Sequence, residues 1–550
     1  MMILLVWLTV PINLLVYTKT SQDWFENNID LPLSHYPFFF KRNNDLYSSL
    51  CHDSTRTHSD NIKKICDYVH KTGLKCWGYE SAFGIECDQN DTIKYPECDG
   101  TARAWARNKV EQEDIFFEQA DFGYIKARAD ELTTFCRPKN TPNASKIFGK
   151  SSSLECTKYF RFCRAKSIMI DFQELNKLPE PIKYRSDILD DGLIGGLDCA
   201  LDDSKLSGES SHKSPLQSWY EELEHYTVFS ESPQCHHVIT KPTFIMKLDA
   251  TVNMYHHFCD FINLYASLHL NNSFSLDSQI IIWDSTDYWG NFEVVWQSFT
   301  KNPLISLDSF RGKKVCFKDV VFPFLPRMIF GLYYNMPVIP GCKRSGLFQA
   351  FNQHLLHKLK VNTCTSSEQI RITLISRKTK FRQILNEDEL LSRIQRISDT
   401  IHITKAEFTH KTPFIEQIRI SSNSDILIGM HGAGLTHCLF QPDWGVLFEL
   451  YNCEDPNCYR DLALLRGLKY LTWSKGDKIF PESPDKPSDS GAYQKFTNYR
   501  FDPDEFTRLV VQAIEYVKQA RDKGKADDKL FTEREFCHES LNKVHSHFEL

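Results

Sequence analysis

From residue 370 to residue 520 the chain alternates short apolar runs with amphipathic segments, and no other feature of its 550 residues restricts the fold as much. Ile370–Ile375, Ile401–Thr404, Asp425–Gly429, Val446–Leu450 and Lys469–Trp473 read as strands, and Asp388–Ile397, Phe414–Ile420, Arg460–Arg466 and Pro503–Ala520 as helices between or after them. Parallel strands joined by crossover helices are the way such a pattern buries its apolar faces, so a doubly wound α/β sheet is expected. The last helix opens with Asp502 as cap, Pro503 at the first helical position and Glu505 three residues past the cap. The polar break at residues 362–368 marks the candidate domain boundary, which gives an N-terminal part over 19–365 and a nucleotide-binding part over 366–525. Upstream, Gly346–Val361 carries apolar residues at helical spacing, and Thr243–Leu248 and Gln279–Trp283 read as buried strands. Residues 19–240 are cysteine-rich and are expected to be irregular.

Cysteine usage narrows the compartment. Eight of the 18 cysteines (Cys51, Cys66, Cys76, Cys87, Cys98, Cys136, Cys156, Cys163) fall in the first 163 residues, without the CxxC pairs of a zinc site. Disulfides in an oxidising compartment are the expected use, with connectivity open; Cys453 and Cys458 could close a short loop, and Cys259 and Cys438 could be small buried apolar residues. The opening MMILLVWLTVPINLLVYTKT reads as a secretory leader over residues 1–18, with a short membrane anchor as the other reading. Residues 526–550 form a charged tail ending in His547, Phe548, Glu549 and Leu550, similar to the KDEL class of lumenal retention addresses, with a retention receptor as the implied partner. Asn90, Asn143 and Asn271 begin N-x-Ser/Thr sequons. Together these point to the lumen of the endoplasmic reticulum. Lys and Arg number 65 against 71 Asp and Glu, a net charge of −6, which argues against a nucleic-acid partner.

Three segments could carry chemistry. In Asp425–His437 a buried strand runs into His431-Gly432-Ala433-Gly434 and then a helix start, where glycines permit close backbone approach and free N–H groups suit a diphosphate. The first strand of the same sheet leads into Arg377 and Arg382, whose guanidinium groups suit phosphate oxygens, and Glu449 ends the next strand, where it could accept from ribose hydroxyls. In Asn253-Met-Tyr-His256-His257-Phe-Cys-Asp260, a helix would put His256 and Asp260 on one face as a general base and its carboxylate. The same pair could bind a metal, but no third ligand is apparent in the sequence.

HGAGLTH, SRKTKFRQILNEDEL and the NxxHxxxD pattern together resemble glycosyltransferase family 61. The likeness runs from about residue 240 to 520 through KLDATVNMYHHFCDFINLY, VCFKDVVFPFLPRM, GMHGAGLTH, LFELYNCED and KFTNYRFD, and more loosely through the N-terminal part. It implies a GT-B-like α/β architecture, two Rossmann-like domains with a Cys-rich N-terminal extension. It further implies inverting transfer of N-acetylglucosamine from UDP-N-acetylglucosamine to Ser or Thr hydroxyls of folded EGF-like domains. The acceptor partners would be secreted or membrane proteins that carry such domains, among them Notch-type receptors and matrix proteins. Other family activities, adding N-acetylglucosamine to protein O-mannose or xylose to a glycan, remain alternatives, as does a lumenal binding protein without catalysis. Relatives carry a DXD-like triplet where this chain has Lys301-Asn302-Pro303, so a divalent metal such as manganese has no support in the sequence, and no cofactor is expected. Arg377, Arg382 and the His431–Gly434 turn would offset the diphosphate charge instead.

Overall fold

The computed structural model describes residues 22–527 apart from 53–58, 89–90, 94–95, 102–103, 210–213, 335, 337–338, 363–368, 451–457 and 483–495. The leader, the HFEL ending, Asn90, Cys453 and most of the polar break at 362–368 lie outside the described residues. Of the other sequons, Asn143 is exposed in a turn and Asn271 is half-buried near a helix end.

Two sheets organise a mixed α/β chain. The first contains β1 (Cys163–Asp171), β2 (Thr243–Met246), β3 (Gln279–Ile282), β4 (Ile305–Ser306) and β5 (Lys314–Phe322) in the spatial order β4-β3-β2-β5-β1. β2 to β5 run parallel, and β1 closes against β5 antiparallel, with further antiparallel strands beyond it. All of β2 and β3 are buried, as expected for parallel strands covered on both faces. The order reverses between β2 and β5, which makes their carboxyl ends the switch point where open α/β sheets take their ligands.

The second sheet is wholly parallel: β6 (Ile370–Ile375), β7 (Ile401–Ala406), β8 (Ile426–Gly429), β9 (Val446–Glu449) and β10 (Lys469–Thr472), in the order β7-β6-β8-β9-β10. Its reversal lies between β6 and β8. Alternation along the strands sends Ile372, Leu374, Ile426, Ile428, Val446 and Phe448 to one face, where they pack with residues of α3 (Glu387–Gln395) and α6 (Pro503–Asp527). Ile375, Leu427 and Leu447 point to the other face and join a core that continues into the first sheet.

The continuity runs through α1 (Met254–Asn271), capped by Asn253, whose side-chain oxygen accepts from the Tyr255 N–H at 3.1 Å. Apolar residues surround this helix, so it is buried on nearly every side. Phe258 packs 6.5 Å from Phe351 of α2 (Gly346–Lys358), and 5.9 Å from both Phe414 of α4 (Phe414–Ser422) and Phe440. Phe440 ends a 3-10 segment, Ala433–Phe440, that follows β8 where an α-helix was expected. α5 (Cys458–Arg466) completes this layer.

The expectation of irregular chain before residue 240 is overturned. Helices Asp60–Thr72, Lys109–Ala120 and Phe122–Asp130 and antiparallel strands Thr133–Pro138 and Ser153–Cys156 form there. In the first helix Ile62, Ile65, Cys66 and Val69 recur at helical spacing and are buried, and Ser59 caps it by accepting from the Ile62 N–H. All eight early cysteines are in disulfides: Cys51–Cys66, Cys76–Cys87, Cys98–Cys342, Cys136–Cys199 and Cys156–Cys163, with Cys235–Cys316 further on. Six disulfides fit an oxidising compartment. No helix among the described residues is long and apolar enough to cross a membrane. Cys259 and Cys438 are buried in the core.

A buried carboxylate ties the N-terminal helices to α2. Asp121 accepts from the Phe122, Gly346 and Leu347 N–H groups at 2.8 Å each, and so caps the first turn of α2 from outside. Burial outweighs these bonds and pushes its carboxyl up from 3.8 to about 7, a difference worth about 4 kcal/mol. A raised folded value means the unfolded chain ionises first, so this contribution is fully present below pH 4 and lost as pH rises through 7. The stability difference between wild type and Asp121→Asn, measured by urea denaturation, is expected to narrow by a few kcal/mol from pH 4 to pH 8. A pH-independent difference would show that Asp121 does not titrate there.

Candidate functional site

The switch point of the second sheet carries two cations against one turn. Arg377 follows β6 and His431 follows β8 on neighbouring strands. Arg377 Nη1 donates to the His431 carbonyl at 3.3 Å, and Arg382 Nη1 donates to the same oxygen at 2.9 Å. Gly432, with φ of 152°, permits this approach: a Cβ there would lie 2.4 Å from Arg377 Nη1 and 3.3 Å from Arg382 Nη1. Ala433 and Gly434 open the 3-10 segment behind the turn, and Gly434 faces Ile375 of β6.

Among the described residues no carboxylate pairs with Arg377 or Arg382. Arg371, at the amino end of the same strand, differs: it grips Asp425 with two side-chain bonds at 3.0 and 3.1 Å. Burial and then repulsion from Arg382 push the Arg377 guanidinium down to about 10, still protonated at neutral pH. Two neighbouring cations held at strand ends without counter-charges make a site for an anion.

Glu449, the expected ribose contact, is engaged by two groups of the protein. It is 1% exposed, and its two oxygens accept from His431 Nδ1 and, at 2.7 Å, from the Tyr470 hydroxyl. Its position orients the His431 ring from behind. Sequence reading missed Tyr470 because its bond crosses between neighbouring strands, β10 and β9.

The switch point of the first sheet carries a second cluster. Asp249 follows β2, Arg327 follows β5, and His256 lies in the first turn of α1. His256 Nδ1 is 2.9 Å from Asp249 Oδ2, and Arg327 clamps Asp249 with bonds of 2.7 and 3.0 Å. Burial raises the Asp249 carboxyl, but the His256 bond and the Arg327 charge outweigh it and hold it below the usual range.

The expected contact between His256 and Asp260 is therefore not made. Asp260 turns inward to His257 Nδ1 at 2.7 Å and to the Asp249 N–H at 3.2 Å, and His257 Nε2 lies 3.0 Å from the Tyr288 hydroxyl. Burial pushes the His257 imidazole down to about 3 and Asp260 well up, so both favour their uncharged forms. This inner pair is fully buried, whereas the His256 side chain is 26% exposed. The i, i+4 spacing placed His256 and Asp260 on one face, but the partner of His256 came from outside the helix. An Asp just past a buried strand and four residues before a helix cap was the signal available for Asp249.

Tyrosines connect the clusters. The Tyr255 ring lies 5.5 Å from Tyr459, which lies 5.2 Å from His431. Lys301-Asn302-Pro303 is elsewhere, just before β4 at the amino ends of the first sheet's parallel strands. There Asn302 accepts from Lys241 at 2.8 Å and donates to the Ser278 carbonyl at 2.9 Å, and Lys301 donates to Asn28 at 2.8 Å. These side chains brace loops at the end of the sheet opposite Asp249.

Residues 254–447, from the start of α1 into β9, match the glycosyltransferase 61 family. The chain is similar to the EGF domain-specific O-linked N-acetylglucosamine transferase of Drosophila melanogaster, 47% identical over 451 residues that cover 80% of this chain and 84% of the relative. It is 43% identical to the protein so named in Gallus gallus over 499 residues, covering 89% and 90% of the two chains. The Mus musculus protein of that name is 42% identical over 503 residues, 90% of each chain.

Proposed function

This chain belongs to glycosyltransferase family 61, and from that premise we propose that it transfers N-acetylglucosamine from UDP-N-acetylglucosamine to Ser or Thr hydroxyls of folded EGF-like domains. The observation that carries the reading is the meeting of an anion site, whose arginines pair with no carboxylate among the described residues, and a carboxylate-held histidine, each at the switch point of its own sheet and joined by Tyr255 and Tyr459. Two such sheets support the GT-B-like, two-Rossmann reading.

In this mechanism the diphosphate of UDP lies against Arg377, Arg382 and the His431–Gly434 turn. Their positive charge, preorganised before the substrate arrives, offsets the charge that grows on the leaving UDP, and no resident metal is needed for it. With Nδ1 donating to Asp249, His256 presents Nε2 as proton acceptor. The acceptor oxygen forms a bond to the anomeric carbon as the carbon–oxygen bond to UDP breaks on the opposite face, and the hydroxyl proton passes to Nε2. A single displacement of this kind inverts the anomeric centre. Arg327 keeps Asp249 ionised and in place. The disulfides support a lumenal setting in the endoplasmic reticulum.

The test is to incubate the purified protein with UDP-N-acetylglucosamine and a folded EGF-like domain, with and without chelator, and to read the added mass. One N-acetylhexosamine on the domain, unaffected by chelator, is expected. Mass appearing only on a mannosylated peptide would replace the acceptor assignment. No transfer to anything, with UDP still bound, would leave a binding protein.

A further inference from the structure

We infer that the tips of four loops around Asp249 form the docking surface for the acceptor domain and grip it through their own exposed apolar side chains. The inference rests on the transferase reading above. The four loops follow β2, β3 and β5 or contain Lys183, and they hold one another in place. Lys183 Nζ donates to the Asp249 carbonyl at 3.4 Å, the Ile182 N–H donates to the Ser285 hydroxyl at 3.5 Å, and Arg327 clamps Asp249. A Cβ on Gly290 would lie 3.0 Å from the Thr251 carbonyl, so the loops after β2 and β3 also touch.

These loops carry apolar side chains that the fold does not use. Tyr184 is 42% exposed, Val252 55%, Ile329 47%, Phe330 59% and Trp289 76%. They are five of the twelve large apolar side chains exposed among the described residues, although the four loops are a small part of the chain. Trp289 follows Tyr288, whose hydroxyl turns inward to His257, so neighbouring aromatic residues serve opposite sides of one loop. Apolar groups gathered in water around a polar site mark an interaction surface rather than chance exposure.

Chemistry identifies the occupant. A Ser or Thr hydroxyl is two bonds from its own Cα, so the acceptor backbone must come within a few ångströms of His256 for the proton to pass. The residues that flank the acceptor hydroxyl then lie on the loop tips that surround Asp249. A small disulfide-stapled domain has too little interior to bury all its apolar side chains and keeps some at its surface. Such a domain matches an apolar rim around a polar centre.

The test uses Trp289→Ala, Phe330→Ala and the combined variant in the full chain. Binding of a folded EGF-like domain with Ala at the acceptor position is measured by calorimetry, together with KM for its Ser parent, UDP affinity and melting temperature. The combined variant is expected to weaken domain binding and raise KM by about 30-fold, with UDP affinity and melting unchanged. Trp24→Ala removes a side chain that is 47% exposed on the segment bonded to Lys301, at the far end of the sheet, and is expected to change none of these. Domain binding and KM within about twofold of wild type in the combined variant would overturn the docking surface while leaving the transferase reading intact. A wild-type protein that glycosylates no EGF-like domain would overturn the transferase reading, and the docking surface with it.

Discussion

Replacing Arg377 and Arg382 together with alanine is expected to lower the affinity for UDP by on the order of a thousandfold and to leave the protein at least as stable as before. Each guanidinium bonded to a phosphate oxygen contributes about 1.5–3 kcal/mol, so losing both costs about 3–6 kcal/mol of binding. Stability should move the other way. The two cations repel each other and meet no carboxylate among the described residues, and burial already pushes Arg377 down to about 10. Removing them takes away a cost of folding, the usual sign of a residue kept for a ligand. Arg371→Ala provides the contrast. Asp425 is fully buried and also takes a salt bridge from Arg521, so losing Arg371 strips it of its main partner and should cost about 3–5 kcal/mol of stability. Calorimetry with UDP and a melting curve on the same samples decide the matter. Unchanged UDP affinity in the double variant would remove the phosphate assignment.

His256→Ala should lower kcat by about a hundredfold to ten-thousandfold with UDP affinity unchanged, because only the proton transfer loses its acceptor. The geometry adds a sharper expectation about its partner. Asp249→Asn keeps the shape but cannot balance a protonated imidazole, so it should lower kcat strongly. In combination with His256→Ala its effect on kcat should be far less than additive, since both changes disable one unit. Asp260→Asn disturbs a fully buried pair with His257 and should reduce stability more than it reduces kcat. Full transferase activity in His256→Ala would end its role as base. Additive losses in the double variant would show that Asp249 acts independently of His256.

The contrast between the halves of the chain shows what a sequence displays. Ile370–Ile375, Ile426–Gly429 and Val446–Glu449 form where apolar runs placed them, because central parallel strands buried on both faces leave a nearly unbroken apolar signature. Before residue 240 the elements lie among polar and cysteine-rich stretches, and pairings such as Cys98 with Cys342, 244 residues apart, supply part of the constraint that apolar periodicity supplies elsewhere. The helix Asp60–Thr72 did carry a helical period in Ile62, Ile65, Cys66 and Val69. It stands among polar and cysteine residues, without the neighbouring apolar strands that frame the helices of the second sheet.

By itself the sequence determined what depends on near neighbours: the strand–helix alternation, the glycine turn after β8, the arginines after β6 and the histidine in the first turn of α1. Each follows from backbone freedom, apolar period or side-chain chemistry within a few residues. Only the tertiary structure decided which carboxylate serves which histidine. Asp249 reaches His256 from a loop after β2, and Asp260 is drawn to His257 inside the core. It also set Glu449 behind His431, and placed Lys301-Asn302-Pro303 at the far end of the sheet from the histidine. Helical spacing gives the face on which a side chain stands, but burial and the direction of packing choose its partner. Those depend on residues that meet only when the two sheets close around α1.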